Sequence, residues 1–317
     1  MAINPGHNGS AALVIDGKLE CYIEEERMCR SKRDANPFRA MLYLMEDHHI
    51  DELIIGGTGQ EEHRLNWTGE NSYEALVRKF YPKVKVTNVG SEHHMGHVAS
   101  AFYGSGFDTA AAVIVDGSGT RSRLPWKEDE RGLDAYETES IYQCSFPGEF
   151  EPVFKRYADN QVPRIIDSDR EIDGTVTTVK AYEAVSMYLG FGFIEAGKTM
   201  GLAPYGKKDS KIPKLFYQDT ARGDKNLFMP QYPAGAWIDT ERYDYLKIKI
   251  DPRSWHKDPS LLSNAQKNLA WAVQTETQEY VGDLIEKAVD MTGEKNIVIS
   301  GGYGLNVIAN YYYLNEL

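Results

Sequence analysis

Apolar and polar positions along this chain fall into short blocks whose period switches between that of a strand and that of a helix. Ala11–Ile15 and Lys18–Glu24 flank Asp16-Gly17, a two-residue hairpin signal between β-prone runs. Phe38, Met41, Leu42 and Met45 repeat at helical spacing and predict a helix over 38–48. Leu53-Ile54-Ile55 reads as a short buried strand, 73–80 as a helix and 84–89 as a strand. A helix over Glu92–Tyr103 and a strand over Ala110–Val115 follow. Further on, 136–145 alternates as one or two strands, and 121–132 is charged enough to predict a loop. Val179, Tyr182, Val185 and Tyr188 mark a helix over 178–189. Residues 190–206 are too glycine-rich for a regular element and too apolar for a linker, so a close-packed loop is expected. The longest helix runs over 265–290, with Leu269, Ala272, Val273, Tyr280, Val281, Leu284 and Ala288 as its apolar stripe. A strand at 296–300, glycines and a helix from Val307 close the chain.

Alternating strands and helices of this kind define an α/β layer structure with some parallel pairing. The pattern divides into units at 1–108 and 109–317, the second carrying an irregular insertion near 207–262. A chain of 317 residues that is 42% hydrophobic has material for a sizeable core. Its net charge of −12 argues against a broad nucleic-acid-binding surface, which needs a basic face. Cys21, Cys29 and Cys144 show neither metal spacing nor a set of pairs, and no apolar run reaches transmembrane length. These features, with a start that is no signal peptide, predict a cytoplasmic protein that does not engage a membrane.

The candidate chemistry centres on Glu92-His93-His94-Met95-Gly96-His97, which holds three of the eight histidines. On a helix, His93 and His97 share a face one turn apart, and His94 and His97 are also within reach. The apolar run 110–115 ends in Asp116-Gly117, placing a carboxylate at the end of a strand. Two imidazoles and a carboxylate suit Fe(II), Zn or Mn; the alternative is a solvated histidine pair beside a buried strand. Gly6-His7-Asn8-Gly9-Ser10 is either an anion-holding loop or a plain turn, with His7 able to exchange a proton near neutral pH. Arg27, Arg30, Lys32 and Arg33 form the densest basic cluster, either a solvated loop or an anion-binding one. Ser300-Gly301-Gly302, between a strand and a helix, is the arrangement that brings a phosphate to a helix N-terminus.

Six stretches together resemble the O-carbamoyltransferases of the NodU/CmcH type. They are Gly6–Leu13, Glu24–Arg27 with Lys32, Glu92–Tyr103, Val115–Gly117, Gly197–Gly206 and Ser300–Asn306. The resemblance implies an actin-like ATPase (ASKHA) fold, two ribonuclease-H-like lobes facing across a cleft. It implies that carbamoyl phosphate and ATP give carbamoyl-adenylate, whose carbamoyl carbon an acceptor hydroxyl attacks. It also implies roles for named residues. His93, His97 and Asp116 would be metal ligands, with Fe(II) foremost and Zn or Mn as alternatives. His7 would be the general base, and Lys32 and Lys198 would stabilise charge. Arg27, Gly301, Gly302 and Asn306 would meet the nucleotide. The chain departs from the family where Tyr303-Gly304 replaces the usual Val-Ala. A further loop with an aspartate and a C-terminal YrdC-like domain are also expected in the family and are not in this sequence. The resemblance therefore implies a fragment, a split-gene product or a reduced form, served by a separate C-terminal polypeptide. Homodimerisation, an acceptor that is a sugar, natural product or nucleotide, and a relationship to the tRNA threonylcarbamoyladenosine transferases stay open at this point.

Overall fold

The computed structural model describes residues 1–57, 71–126, 129–158, 165–166, 170–172, 177–212, 214–215, 228–232, 235–238 and 262–317. Most of the expected insertion at 207–262 lies outside the described residues. The chain folds as two compact units, Met1–Gly96 and His97–Leu317.

The first unit is built on strands β1 (Ala2–Asn4), β2 (Ser10–Ile15), β3 (Lys18–Glu24), β4 (Glu52–Ile55) and β5 (Lys85–Asn88), ordered β3-β2-β1-β4-β5. The first three pair antiparallel, β2 and β3 through the Asp16-Gly17 turn, and β4 and β5 add parallel beyond β1. Helices α1 (Glu25–Cys29), α2 (Phe38–Asp47) and α3 (Ser72–Phe80) complete it. Met41, Leu44 and Met45 of α2, with Tyr73 and Val77 of α3, bury against Ile3, Leu13, Leu53 and Ile55. Leu42, expected on the buried face of α2, is exposed, and Leu44 takes that place. The three residues of β1 are too few to register as a periodic block. They are held because they pair with β2 on one side and β4 on the other.

The second unit opens inside helix α4 (His93–Ser105), earlier than the Thr109 expected from the sequence. Burial explains the difference: Val98 and Phe102 of α4 pack against Ala110, Ala112 and Ile114 of β6 (Thr109–Val115), so most of the helix belongs with that strand. Ala111, Val113 and Val115, on the opposite face of β6, pack under α5 (Thr178–Tyr188) and α7 (Asn264–Thr292). Burial on both faces is why this strand is an unbroken apolar run. Strands β7 (Arg121–Trp126), β8 (Asp129–Ser145) and β9 (Glu149–Ala158) follow β6. The short β10 (Ile165–Ile166) and β11 (Arg170–Ile172) come next, then a separate β12–β13 ribbon (Phe228–Pro230, Ala236–Ile238) and finally β14 (Ile297–Ser300). The large sheet runs β10-β11-β9-β8-β6-β14, with β7 paired to β8. Strands β6, β8 and β9 are antiparallel neighbours, and β14 lies parallel on the other side of β6. Each unit thus contains an antiparallel trio whose first strand is flanked by a parallel one.

Two expectations are corrected in this unit. The segment 121–132, read as a loop, is mostly a hairpin, because its charges pair across the ladder, as Arg121 does with Asp134 at 2.7 Å. The glycine-rich 190–206 contains α6 (Ala196–Leu202) and a 3₁₀ turn. Tertiary contacts outweigh the low helix propensity of Gly197 and Gly201: Thr199 is buried and bonds Ser186, while Leu202 enters the core. Among the described residues no helix is long and apolar enough to cross a membrane. The last element is α8 (Val307–Glu316).

Candidate metal and ligand site

Helix α4 runs unbroken through the division between the units, so His93 and His97 are held one turn apart by the helix itself. His94, Val98 and Phe102 form its buried stripe. That stripe docks the helix and turns the 93/97 face to the end of β6, while His94 is consumed in the core. The His93 Nδ1 lies 2.9 Å from the Gly57 carbonyl. A carbonyl only accepts, so in the neutral ring Nδ1 carries the proton and Nε2 keeps the lone pair. The His97 Nδ1 lies 3.3 Å from Ser300 Oγ, and its Nε2 is 3.9 Å from Asp116 Oδ2.

One ligand atom from each of His93, His97 and Asp116 lies within 4.8 Å of the other two. Ligands bound tetrahedrally at about 2.1 Å stand about 3.4 Å apart, so modest side-chain adjustments close the set around an ion. Two imidazoles, both backed by a second hydrogen-bonding group, and one carboxylate have the chemistry of a divalent-metal centre.

The carboxylate is positioned by two parallel strands. Asp116 follows the last residue of β6, and its other oxygen accepts from the Gly302 amide at 3.0 Å, just beyond β14. The carboxyl ends of parallel neighbours are where open sheets hold ligands. Gly301 makes the crossing feasible. Its φ is +90°, and a Cβ there would collide with the carbonyl of Val115. Only glycine fits.

Asn306 is engaged locally. Its amide oxygen accepts from Ala309 N at 3.1 Å and from Gln274 at 3.2 Å, while its Nδ2 donates to Gln274 at 3.0 Å. Asn306 therefore caps α8, the helix whose N-terminus was expected to face a phosphate. Asn306→Ala removes a cap and a buried amide pair, so a stability loss of about 2 kcal/mol or more is expected in urea unfolding. A loss below about 0.5 kcal/mol would show that the cap does not hold the turn.

The remaining candidates show local contacts. His7 is exposed, with Nδ1 3.4 Å from Asn8 Oδ1. Arg27 reaches Glu24 at 3.3 Å and Glu26 at 3.7 Å, and Lys32 is exposed. Lys198 pairs with Glu195 at 2.7 Å.

Several participants carried no signal of their own. Gly57 acts through its carbonyl, which no side-chain pattern reveals, and Ser300 becomes a partner of His97 only through the sheet. Glu183 of α5 is a third. Burial pushes its carboxyl above the usual range, and its Oε2 bonds the wholly buried Lys180 at 2.9 Å. It lies against Gly117, where a Cβ would stand 3.2 Å from Oε1.

Fold and site together define a mixed α/β protein in which helix α4 and the end of β6 present a His-His-Asp donor set. The family model for the carbamoyltransferase N-terminus matches residues 56–316, and the chain belongs to that family. It is 24% identical to the uncharacterized protein sll1178 of Synechocystis sp., over 98% of this chain and 51% of that protein. It is 22% identical to the nodulation protein NolNO of Sinorhizobium fredii, over 96% of this chain and 42% of that protein. The chain thus spans about half the length of these curated relatives.

Proposed function

We propose that this chain is the transfer module of an O-carbamoyltransferase, moving a carbamoyl group from carbamoyl-adenylate to an acceptor hydroxyl. Family membership supports carbamoyl chemistry, and the convergence of His93, His97 and Asp116 is the observation that carries the reading to this site. The antiparallel trio with a parallel flanking strand, repeated in both units, supports a duplicated ribonuclease-H-like, actin-like ATPase fold. In this reading the donor is made from carbamoyl phosphate and ATP.

His93, His97 and Asp116 would hold a divalent ion, foremost Fe(II) and alternatively Zn or Mn. When bound, the ion supplies positive charge to the adenylate phosphate. His7 takes the proton of the acceptor hydroxyl as its oxygen bonds to the carbamoyl carbon. The bond from that carbon to the phosphate oxygen breaks, and AMP leaves. Lys32 and Lys198 offset charge on phosphate and carbamoyl oxygens, and Arg27 pairs with the nucleotide. Gly301 and Gly302 let the backbone approach the nucleotide closely, and Asn306 fixes the turn that carries them.

The test supplies pre-made carbamoyl-adenylate to the Fe(II)-loaded chain with a panel of hydroxyl acceptors and follows AMP release. Acceptor-dependent release is expected, with His7→Ala slower by about 100-fold or more. AMP release no faster than without protein, across the panel, would refute the transferase reading.

A further inference from the structure

Strand β3 forms one edge of the first sheet, and among the described residues it pairs only with β2. An edge strand presents a row of unpaired backbone groups that a further strand can take up. This edge also carries exposed apolar side chains: Leu19 is 66% exposed, Tyr22 56% and the neighbouring Val14 of β2 51%. The ladder puts all three on one face. Leu13 opposes Cys21 and Val14 opposes Leu19, so Glu20 is an extra residue, a bulge that turns Leu19 to the side of Val14 and Tyr22. The register continues that face across the sheet, from Tyr22 to Ala12, to Ala2 and to the exposed Ile54. The opposite face, with Ala11 and Leu13, is the one that packs with α2 and α3.

The edge is complementary to itself. Glu25 N donates to Gly9 O at 2.8 Å. By the alternation of an antiparallel ladder, Ile23 and Cys21 then face β2, while Glu24 and Tyr22 turn their backbone groups to the open side. A copy of β3 laid antiparallel along that side must set outward groups against outward groups. That places a two-fold axis on a residue rather than between two. With the axis on Cys21 all seven residues pair: Lys18 meets Glu24 of the copy, Leu19 meets Ile23 and Glu20 meets Tyr22. Lys18 is exposed, and among the described residues it has no ion pair. Moving the axis to Tyr22 sets Glu20 against Glu24, and moving it to Glu20 sets that carboxylate against its own copy, both repulsive. The charges that deter other strands from this edge thus select one register of its own copy.

We infer that two copies of this chain associate through β3, antiparallel about a two-fold axis at Cys21. The self-matching charges name the partner, and the exposed apolar face gives the pairing its second contact. The two five-stranded sheets become one continuous sheet, and the two apolar faces become one strip. The interface uses none of the residues assigned to carbamoyl transfer.

The experiment follows the full chain by sedimentation velocity over a concentration series, and by mild oxidation with diamide before non-reducing electrophoresis. Residues on such an axis form a non-hydrogen-bonded pair with Cα atoms about 4.5 Å apart, within reach of a disulfide. A concentration-dependent dimer is expected, and oxidation should lock it covalently in the unaltered chain and in Cys29→Ser but not in Cys21→Ser. Lys18→Glu should weaken association about tenfold or more, because the change acts twice about the axis. Lys83→Glu, the same charge change on an exposed residue outside β3, should leave it unaltered. A monomer at every concentration would overturn the inference, as would a covalent dimer that survives Cys21→Ser. Equal weakening by Lys18→Glu and Lys83→Glu would mean general repulsion and overturn the register. Unaltered association of Lys18→Glu, checked as folded by circular dichroism, would take the interface away from β3.

Discussion

The His93→Ala, His97→Ala double variant is expected to retain no divalent ion after gel filtration, where the unaltered chain retains about one equivalent by elemental analysis. A single carboxylate offers one oxygen-donor group where three ligands are needed, and the nearest imidazole substitute, His94, is wholly buried in the packing of α4. The substitutions are surface-tolerant because neither ring belongs to the buried stripe that docks the helix. Ser300→Ala provides a graded control. It removes the group 3.3 Å from His97 Nδ1 while leaving every ligand in place, so affinity should fall by about 10- to 100-fold without vanishing. Undiminished metal content in the double variant would remove the metal centre, and with it the support for siting the proposed carbamoyl transfer here.

Gly301→Ala is expected to be strongly destabilising. The residue would be left-handed, at about 1–2 kcal/mol, and its Cβ would collide with the Val115 carbonyl. Neither atom is the mobile end of a side chain, so β6 or β14 must move. The Asp116 to Gly302 hydrogen bond is the first contact disturbed. A stability loss of at least about 3 kcal/mol in urea unfolding, together with weakened metal retention, is the expected result. Gly304→Ala is the matched control: its Cβ would meet Ile299 O at 3.5 Å, ordinary contact, and its cost should stay within about 1 kcal/mol. Equal costs for the two variants would show that the close approach of Gly301 to the Val115 carbonyl is not rigid.

The helix α4, the strand β6 and the Asp116 that ends it were legible in the residues because local patterns produce them. A four-residue imidazole spacing becomes a shared face as soon as the segment is helical, and an apolar run bounded by Asp-Gly becomes a buried strand with a polar end. The long α7 was legible for the same reason, its stripe being a direct record of one buried face. Where the reading went astray, the deciding contacts were distant in sequence. The hairpin at 121–132 depends on charges pairing across a ladder, and α6 on Thr199 reaching Ser186. Which face of α2 is buried was decided by the sheet, which took Leu44 and left Leu42 exposed.

By itself, then, the order of residues determined most of the strands and helices, which side chains carry ligand chemistry, and which family the whole resembles. It did so because hydrophobic period and side-chain type act over a turn or a strand. Tertiary structure alone decided that Asp116 meets His97 and Gly302, that Ser300 and Gly57 orient the imidazoles, that His94 is excluded, and that Asn306 pairs with Gln274. The meetings of Asp116 with Gly302 and of Ser300 with His97 are set by parallel pairing of β6 with β14, residues nearly two hundred positions apart, and no local pattern encodes so distant a neighbour.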